Sequence, residues 1–316
     1  MPIYASERVC GAVAFADPKD KSMEQSSKEN GLIQRVPEEC LTTVIGLTSP
    51  ADACRSAVVS AGFRSAADSD AVWERFLPLD CDAVLERAVH FVDSSSRKEL
   101  FMDLSDEHVL LDDGKRSFGL QRSSGAKCYM LSVREMAIAW VKIDLYWRER
   151  SDPDSRFSMV AELMSVCWLS ISGHISTKEL SPGTHYAAYL VFKLTHDASG
   201  LASPQQRSVL SVGGRQSSTH TASLHPCNRT DSSCTGEMAD GEPHDHERDD
   251  GVVVRYPGPR VDGWLELEMG DFHTGDSDDE ATAAEDVDMI LHECEELQWK
   301  KGLIIEGIEI RPKKIN

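Results

Sequence analysis

The sequence predicts an α+β chain of more than one domain, with three short helices near the front and an antiparallel β-sandwich of jelly-roll type behind them. Three observations carry this. Between residues 32 and 78 apolar side chains recur at helical spacing, punctuated by proline and glycine. From residue 127 onward several apolar runs alternate with a period of two between turn signals. The chain has 316 residues, 41% of them hydrophobic, which is enough for more than one core.

Residues 1–31 gather Ser, Lys, Glu and Asp around one short apolar patch, Val9 to Ala16, which lacks a basic leader. The segment reads as a disordered arm rather than a signal peptide. In residues 32–78, Pro37 suits a first helical position, and Glu38 and Glu39 favour the positive end of the dipole. Leu41, Val44 and Ile45 give that helix its apolar side, and Gly46 ends it. Ser49-Pro50-Ala51-Asp52 opens a second helix in a capping-box arrangement, with Ala53, Cys54, Ala57 and Val58 as its inner stripe. The next break is expected at Gly62 or the residues near it, and a third helical region carries Phe63, Ala66, Ala67, Val72, Trp73 and Phe76. A unit this small buries little surface alone, so it calls for another domain or a partner.

The series Pro37-Glu38-Glu39, Leu41, Ile45, Leu47-Thr48-Ser49-Pro50, Asp52, Val59-Ser60, Phe63-Arg64 and Trp73 resembles the F-box, with Val36 where leucine is common. The resemblance implies helices that clamp a Skp-type adaptor, and through it a cullin ubiquitin ligase. By that match Pro37, Leu41, Ile45, Leu47, Pro50, Asp52, Val59 and Trp73 are adaptor-facing or module-core residues.

Residues 79–126 read as a partly helical connector: an amphipathic stretch from Ala83 to Val92, turn chemistry at Asp112-Asp113-Gly114-Lys115, and a short extended piece at Phe118-Gly119-Leu120. The β-rich half spans 127–316. It opens on Ser132-Val133-Arg134-Glu135, a capping-box pattern that predicts a helix with Val133, Met136, Ala137 and Trp140 along one side. Strands are expected at 166–172, at 186–194 (apolar on both faces), at 264–269, and where Val287, Met289 and Leu291 alternate. In Leu303 to Ile310 the apolar phase shifts across Gly307, which points to a bulge. The stretch 196–259, rich in Ser, Gly, His and Asp, reads as a flexible insertion with only weak strand candidates at 209–212 and 252–256. Asp276 to Asp288 is an acidic run without Lys or Arg and reads as a solvated loop.

The segments Lys127 to Met136, Trp140, Tyr146-Trp147, Phe157, Val160 to Leu163, Val166 to Leu169, Tyr186 to Leu194, Asp262 to Glu266 and Gly302 to Pro312 together resemble the phloem protein 2 (Nictaba-type) lectin domain. With the F-box in front, the chain resembles plant F-box proteins with a phloem-lectin-like second half. The resemblance implies binding of sugars containing N-acetylglucosamine, with Trp140 and Trp147 as stacking rings and Asp286 and Glu293 as hydroxyl acceptors. The tryptophans equally suit packing at a domain edge, and Asp286 suits a solvated loop.

Composition removes several function classes. A formal charge of −20 argues against nucleic acid and anionic membrane as partners, and no apolar run is long enough to span a bilayer. Nine scattered cysteines fit reduced thiols in the cytoplasm or nucleus. His220, His225, Cys227, Cys234, His244 and His246 fit no closed zinc spacing, and Asn228-Arg229-Thr230 would not meet a glycosyltransferase there. The sequence holds no nucleophile elbow, metalloprotease motif or phosphate loop, so no metal, cofactor or catalytic residue is expected. The function expected is substrate recognition for a Skp–cullin–F-box ligase by capture of a glycan or glycoprotein. The competing reading is a β-sandwich that binds protein surfaces without sugar.

Overall fold

The computed structural model describes residues 36–227, 244–247, 251–275 and 285–313. The expected arm at 1–31, most of the acidic run, Cys234 and the Asn228–Thr230 sequon lie outside the described residues. Among the described residues no helix is long and apolar enough to cross a membrane.

The front of the chain forms α1 (Glu38–Ile45), α2 (Pro50–Ser56), α3 (Ala61–Asp68) and α4 (Asp70–Phe76). Pro37 caps α1 at φ −56°, and the Gly46 N–H closes on the Thr42 carbonyl at 3.0 Å. Ser49 caps α2 as its sequence pattern requires: its Oγ accepts the Asp52 N–H at 3.1 Å and donates to the Asp52 carboxylate at 2.8 Å. Gly62 itself lies within α3. The break falls just before it, and Ser60 caps α3 by accepting the Phe63 N–H. The single third helix expected divides at Ser69, which both ends α3 and starts α4. Trp73 then sits at the centre of the module, fully buried, with its Nε1–H donated to the Ala67 carbonyl at 2.7 Å.

The connector supplies α5 (Cys81–Leu85) and α6 (Arg97–Asp106), followed by β1 (Val109–Leu111) and β2 (Arg116–Leu120). Phe101 of α6 packs its ring 5.1 Å from that of Trp73, so the connector completes the helical core. β1 and β2 then join the main sheet, which places the start of the β-rich half about twenty residues before position 127. One continuous apolar core runs from Ile45 in α1 through Phe101 and Phe118 to Ile310.

The remaining strands are β3 (Lys127–Ser132), β4 (Ala137–Ile138), β5 (Trp147–Arg150), β6 (Val160–Leu163), β7 (Leu169–Ser176), β8 (His185–Ser199), β9 (Gln206–Val212), β10 (Arg215–Ala222), β11 (His244–Glu247), β12 (Val253–Tyr256), β13 (Gly258–Pro259), β14 (Leu265–His273), β15 (Asp286–Glu293) and β16 (Lys301–Pro312). One sheet runs β1-β2-β3-β16-β8-β14-β13, with β5 and β6 added beside β16. The other runs β11-β12-β10-β9-β15-β7-β4. Every pairing is antiparallel except β10 with β12.

The two sheets meet through their apolar faces. Val287, Met289 and Leu291 of β15 are fully buried, as their alternation predicts. Gly173 of β7 lies so close to the facing sheet that an added Cβ would fall 2.9 Å from Ile308 and 3.1 Å from Leu131. In β16 the register shifts between Ile305 and Gly307, where the sequence places a bulge. A side chain at Gly307 would strike the Leu131 carbonyl at 2.1 Å. The apolar run of β8 is buried on both faces, because a second small core of Met130, Phe157, Val160, Val191, Trp264 and Ile304 covers the outer face of its sheet.

Two expectations are overturned. No helix forms after Ser132, which is still part of β3 and pairs with Gly307. Its Oγ and carbonyl accept the N–H groups of Arg134 and Glu135 in a tight turn, while Arg116 takes the Glu135 carboxylate at 2.7 Å. The capping-box residues therefore build a turn and an ion pair instead. The stretch 196–259 is also not simply a loose insertion: its described residues include the end of β8 and all of β9 to β13. Gln206 is fully buried, accepts the Leu224 N–H at 3.0 Å and donates to the Pro204 carbonyl at 2.8 Å.

Candidate functional site

The helical module presents an apolar face to solvent. Val44, Leu47, Val58 and Val59 are 61%, 74%, 79% and 63% exposed, with Val36 and Pro37 beside them. Singly exposed aliphatics are ordinary, whereas four of them at the end of α1 and in the turns after α1 and α2 make a candidate contact surface. Val58 corrects the sequence reading, which placed it on an inner stripe.

The expected adaptor residues separate by position. Pro37, Leu47 and Val59 are exposed, and Leu41 is half-buried. Ile45, Pro50 and Trp73 are buried within the module, so they shape it without meeting a partner. Asp52 is a cap: the Ser49 hydroxyl and Arg55, at 2.7 Å, hold its carboxyl below the usual carboxylate range.

A second surface lies at the end of the sheets where β4 leads into β5. Trp140 stands there in a turn at φ +66°, half-exposed, its ring 6.4 Å from that of Trp168 at 79° and 6.3 Å from that of Tyr146 at 62°. The three rings form an aromatic corner, with exposed Leu145 on the same loop. Such a corner offers a flat face for the C–H side of a sugar or for an apolar side chain. Trp168, which the sequence did not single out, is half-exposed just before β7 begins at Leu169.

The other expected sugar residues do not complete this corner. Trp147 is 1% exposed and donates its Nε1–H to the Ala139 carbonyl at 3.0 Å, which ties down the loop that presents Trp140. Glu293 is buried against Lys300, whose Nζ also donates to the carbonyls of Cys167 and Gln298 at 3.2 and 2.7 Å. Burial would raise the Glu293 carboxyl, but Lys300 and the N–H groups of Glu295 and Glu296 hold it below its ordinary value. This ion pair anchors the chain on either side of Trp168. Asp286 begins β15 and Glu293 ends it, so about 23 Å of extended chain separates them. Asp286 instead lies 3.5 Å from His174 on an exposed edge. The geometry unites Trp140, Tyr146 and Trp168, gives Trp147 and Glu293 supporting roles, and leaves Asp286 apart.

Among the described residues no three His, Cys, Asp or Glu side chains gather in a way that could hold a metal ion.

Residues 126–312 match the family model described as Phloem protein 2. Among curated relatives, F-box protein PP2-B1 of Arabidopsis thaliana is 37% identical over 306 residues, covering 89% of this chain and 90% of its own. F-box protein PP2-B15 of the same plant is 38% identical over 285 residues, covering 89% of this chain and 97% of its own. F-box protein PP2-B10 is 37% identical, covering 91% of this chain and 96% of its own. Among solved structures, a family GH115 4-O-methyl-alpha-glucuronidase overlays 58% of this chain on 17% of its own with a TM-score of 0.28 and 8% identity, too distant to carry an argument.

Proposed function

The chain belongs to the phloem protein 2 family, in company with relatives named F-box proteins, and from that premise we propose that it is a non-catalytic substrate receptor of a Skp–cullin–F-box ubiquitin ligase. Its helical module docks a Skp-type adaptor, the adaptor brings the cullin, and the β-rich half, read as a jelly-roll-like sandwich, holds the target. The proposed place of work is the cytoplasm or nucleus.

The observation that carries this reading is the exposed aliphatic face of Val44, Leu47, Val58 and Val59 on a module whose interior is already filled by Trp73 and Ile45. A face left apolar after the core is complete is suited to a second protein. Co-purification of the full chain with a Skp-type adaptor tests it: wild type forms a stoichiometric complex, and a Leu47→Asp, Val59→Asp variant does not. Equal recovery of adaptor with both would reject the assignment.

For the target, the aromatic corner at Trp140 and Trp168 supports capture of a glycan or glycoprotein by stacking, N-acetylglucosamine-containing by family resemblance. A specific observation favours the second reading, a protein target without sugar: Trp147 and Glu293 are buried and Asp286 is remote, so the quartet expected from the resemblance is not assembled. A glycan array probed with the full chain decides between them. Binding that Trp140→Ala removes supports the sugar; silence with every N-acetylglucosamine ligand supports the protein target.

A further inference from the structure

A cleft of about 800 Å3 opens between α6 with β1 and the residues Arg156, Arg260 and Glu309 of the β-rich half. That is within the range of small-molecule pockets, about 300–1,000 Å3. Val92, Leu104, Val109 and Leu110 supply its apolar wall. Arg156, Arg260 and Glu309 make one end of it charged, and Arg260 and Glu309 are held in direct ion pairs. Arg260 pairs with Glu309, with Glu266 at 2.8 Å and with Asp262 at 3.1 Å, while Arg311 also engages Glu309 and Glu266.

Arg156 is the exception. Its guanidinium donates to Nδ1 of His108 at 2.9 Å and to the Ser117 hydroxyl at 3.3 Å, both neutral acceptors, and among the described residues it makes no ion pair. Its backbone N–H donates to the buried Glu306 carboxylate at 2.8 Å, and Glu306 and Glu309 feel its charge without pairing directly with its guanidinium. Arg156 lines the cleft, and none of its remaining guanidinium N–H groups is buried without a partner. The platform is held in place: the His108 ring lies flat against Gly119, where an added Cβ would come within 2.2 Å of it. Burial, with Arg156 adjacent, keeps that ring neutral, its pKa pushed down to about 4.

We propose that this cleft binds a small amphipathic monocarboxylate, its carboxylate on the Arg156 fork and its apolar body against the wall formed by α6 and β1. A planar carboxylate matches a guanidinium with two parallel N–H donors free. The single negative charge follows from the mouth, where Asp103 and Glu107 would repel a polyanion. The occupant touches both the connector and the β-rich half, so it would clamp them together. The proposal is independent of the adaptor and of the sugar.

Calorimetric titration of the full chain with phenylacetate, and with phenylacetamide as its neutral isostere, tests it. The carboxylate binds saturably and about tenfold or more tightly than the amide, and Arg156→Gln removes that difference. Should Arg156→Gln unfold the chain, Phe91→Glu serves instead: Phe91 is 90% exposed at the cleft, so the fold is kept, and the added charge weakens phenylacetate several-fold while leaving the amide unchanged. No saturable heat with phenylacetate, equal affinity for the two ligands, or carboxylate binding indifferent to both substitutions would overturn the proposal.

Discussion

Leu47→Asp separates the proposed partner contact from the residues that build the module. Leu47 is 74% exposed, and nothing in the helical core rests on it. Covering a whole leucine side chain is worth about 1.5–3 kcal/mol, so covering the exposed three quarters on docking contributes about 1–2 kcal/mol. An aspartate there loses that contribution and adds the desolvation of an unpaired charge, at least about 1–3 kcal/mol more. The sum, about 3 kcal/mol, corresponds to roughly a hundredfold rise in Kd for a Skp-type adaptor. Folding stability should move by no more than about 0.5 kcal/mol, because the position is on the surface. Calorimetry against the adaptor, paired with chemical unfolding of the free protein, reads both quantities. Adaptor affinity within about threefold of wild type, at unchanged stability, would refute the reasoning.

Trp73→Ala should do the opposite, lowering stability by about 3–5 kcal/mol by emptying the contact with Phe101, with adaptor affinity lost only through unfolding. At the aromatic corner, Trp140→Ala should leave the melting temperature near wild type and Trp147→Ala should lower it by many degrees, since only Trp147 is enclosed; thermal scans of the two variants check this. Lys300→Met strands Glu293 in an apolar setting and should cost about 3–5 kcal/mol, whereas Lys300→Met with Glu293→Leu should recover much of it, measured as a double-mutant cycle. For pH, burial, with Arg156 adjacent, lowers His108 from 6.5 to about 4, so between those values the unfolded chain binds the proton that the folded one refuses. Stability should therefore fall as pH drops from 6.5 towards 4, and His108→Gln should flatten that slope in urea titrations. His220, also lowered by burial, adds a slope of the same sign that the variant retains.

Local pattern and resemblance made the helical module legible because its signals are short-range. Ser49 with Asp52 specifies a cap through neighbours a few residues away, and the structure holds it, while Pro37 marks the helix start to within one residue, standing just before Glu38. The bulge at Gly307 was legible for the same reason, as a phase change within one strand. What failed depended on distant partners. Ser132 and Glu135 carry a helix-start pattern, but pairing with Gly307 and the Arg116 guanidinium claim them first. Of β9 only the second half, 209–212, was legible, because Gln206 and Ser208 point inward, satisfied by Leu224 and by the Met269 carbonyl, 61 residues away. A polar residue with a buried partner is indistinguishable from a loop residue until that partner is known. The aromatic corner shows the same limit: resemblance selects Trp140 and Trp147 alike, and only the tertiary surroundings assign one to solvent and the other to the interior.

The apolar core that runs unbroken from α1 to β16 has a mechanical corollary. With Trp73 seated on Phe101 and Asp80 clasping Lys127 at 2.7 Å, the chain between its two contact surfaces is a strut rather than a tether. In the proposed receptor role, a captured protein would then be held at one fixed reach and bearing from whatever grips the front helices. Only lysines falling on a narrow arc of that protein's surface would come within range of transfer, so selection among targets would depend on where they carry lysine as much as on how tightly they are held.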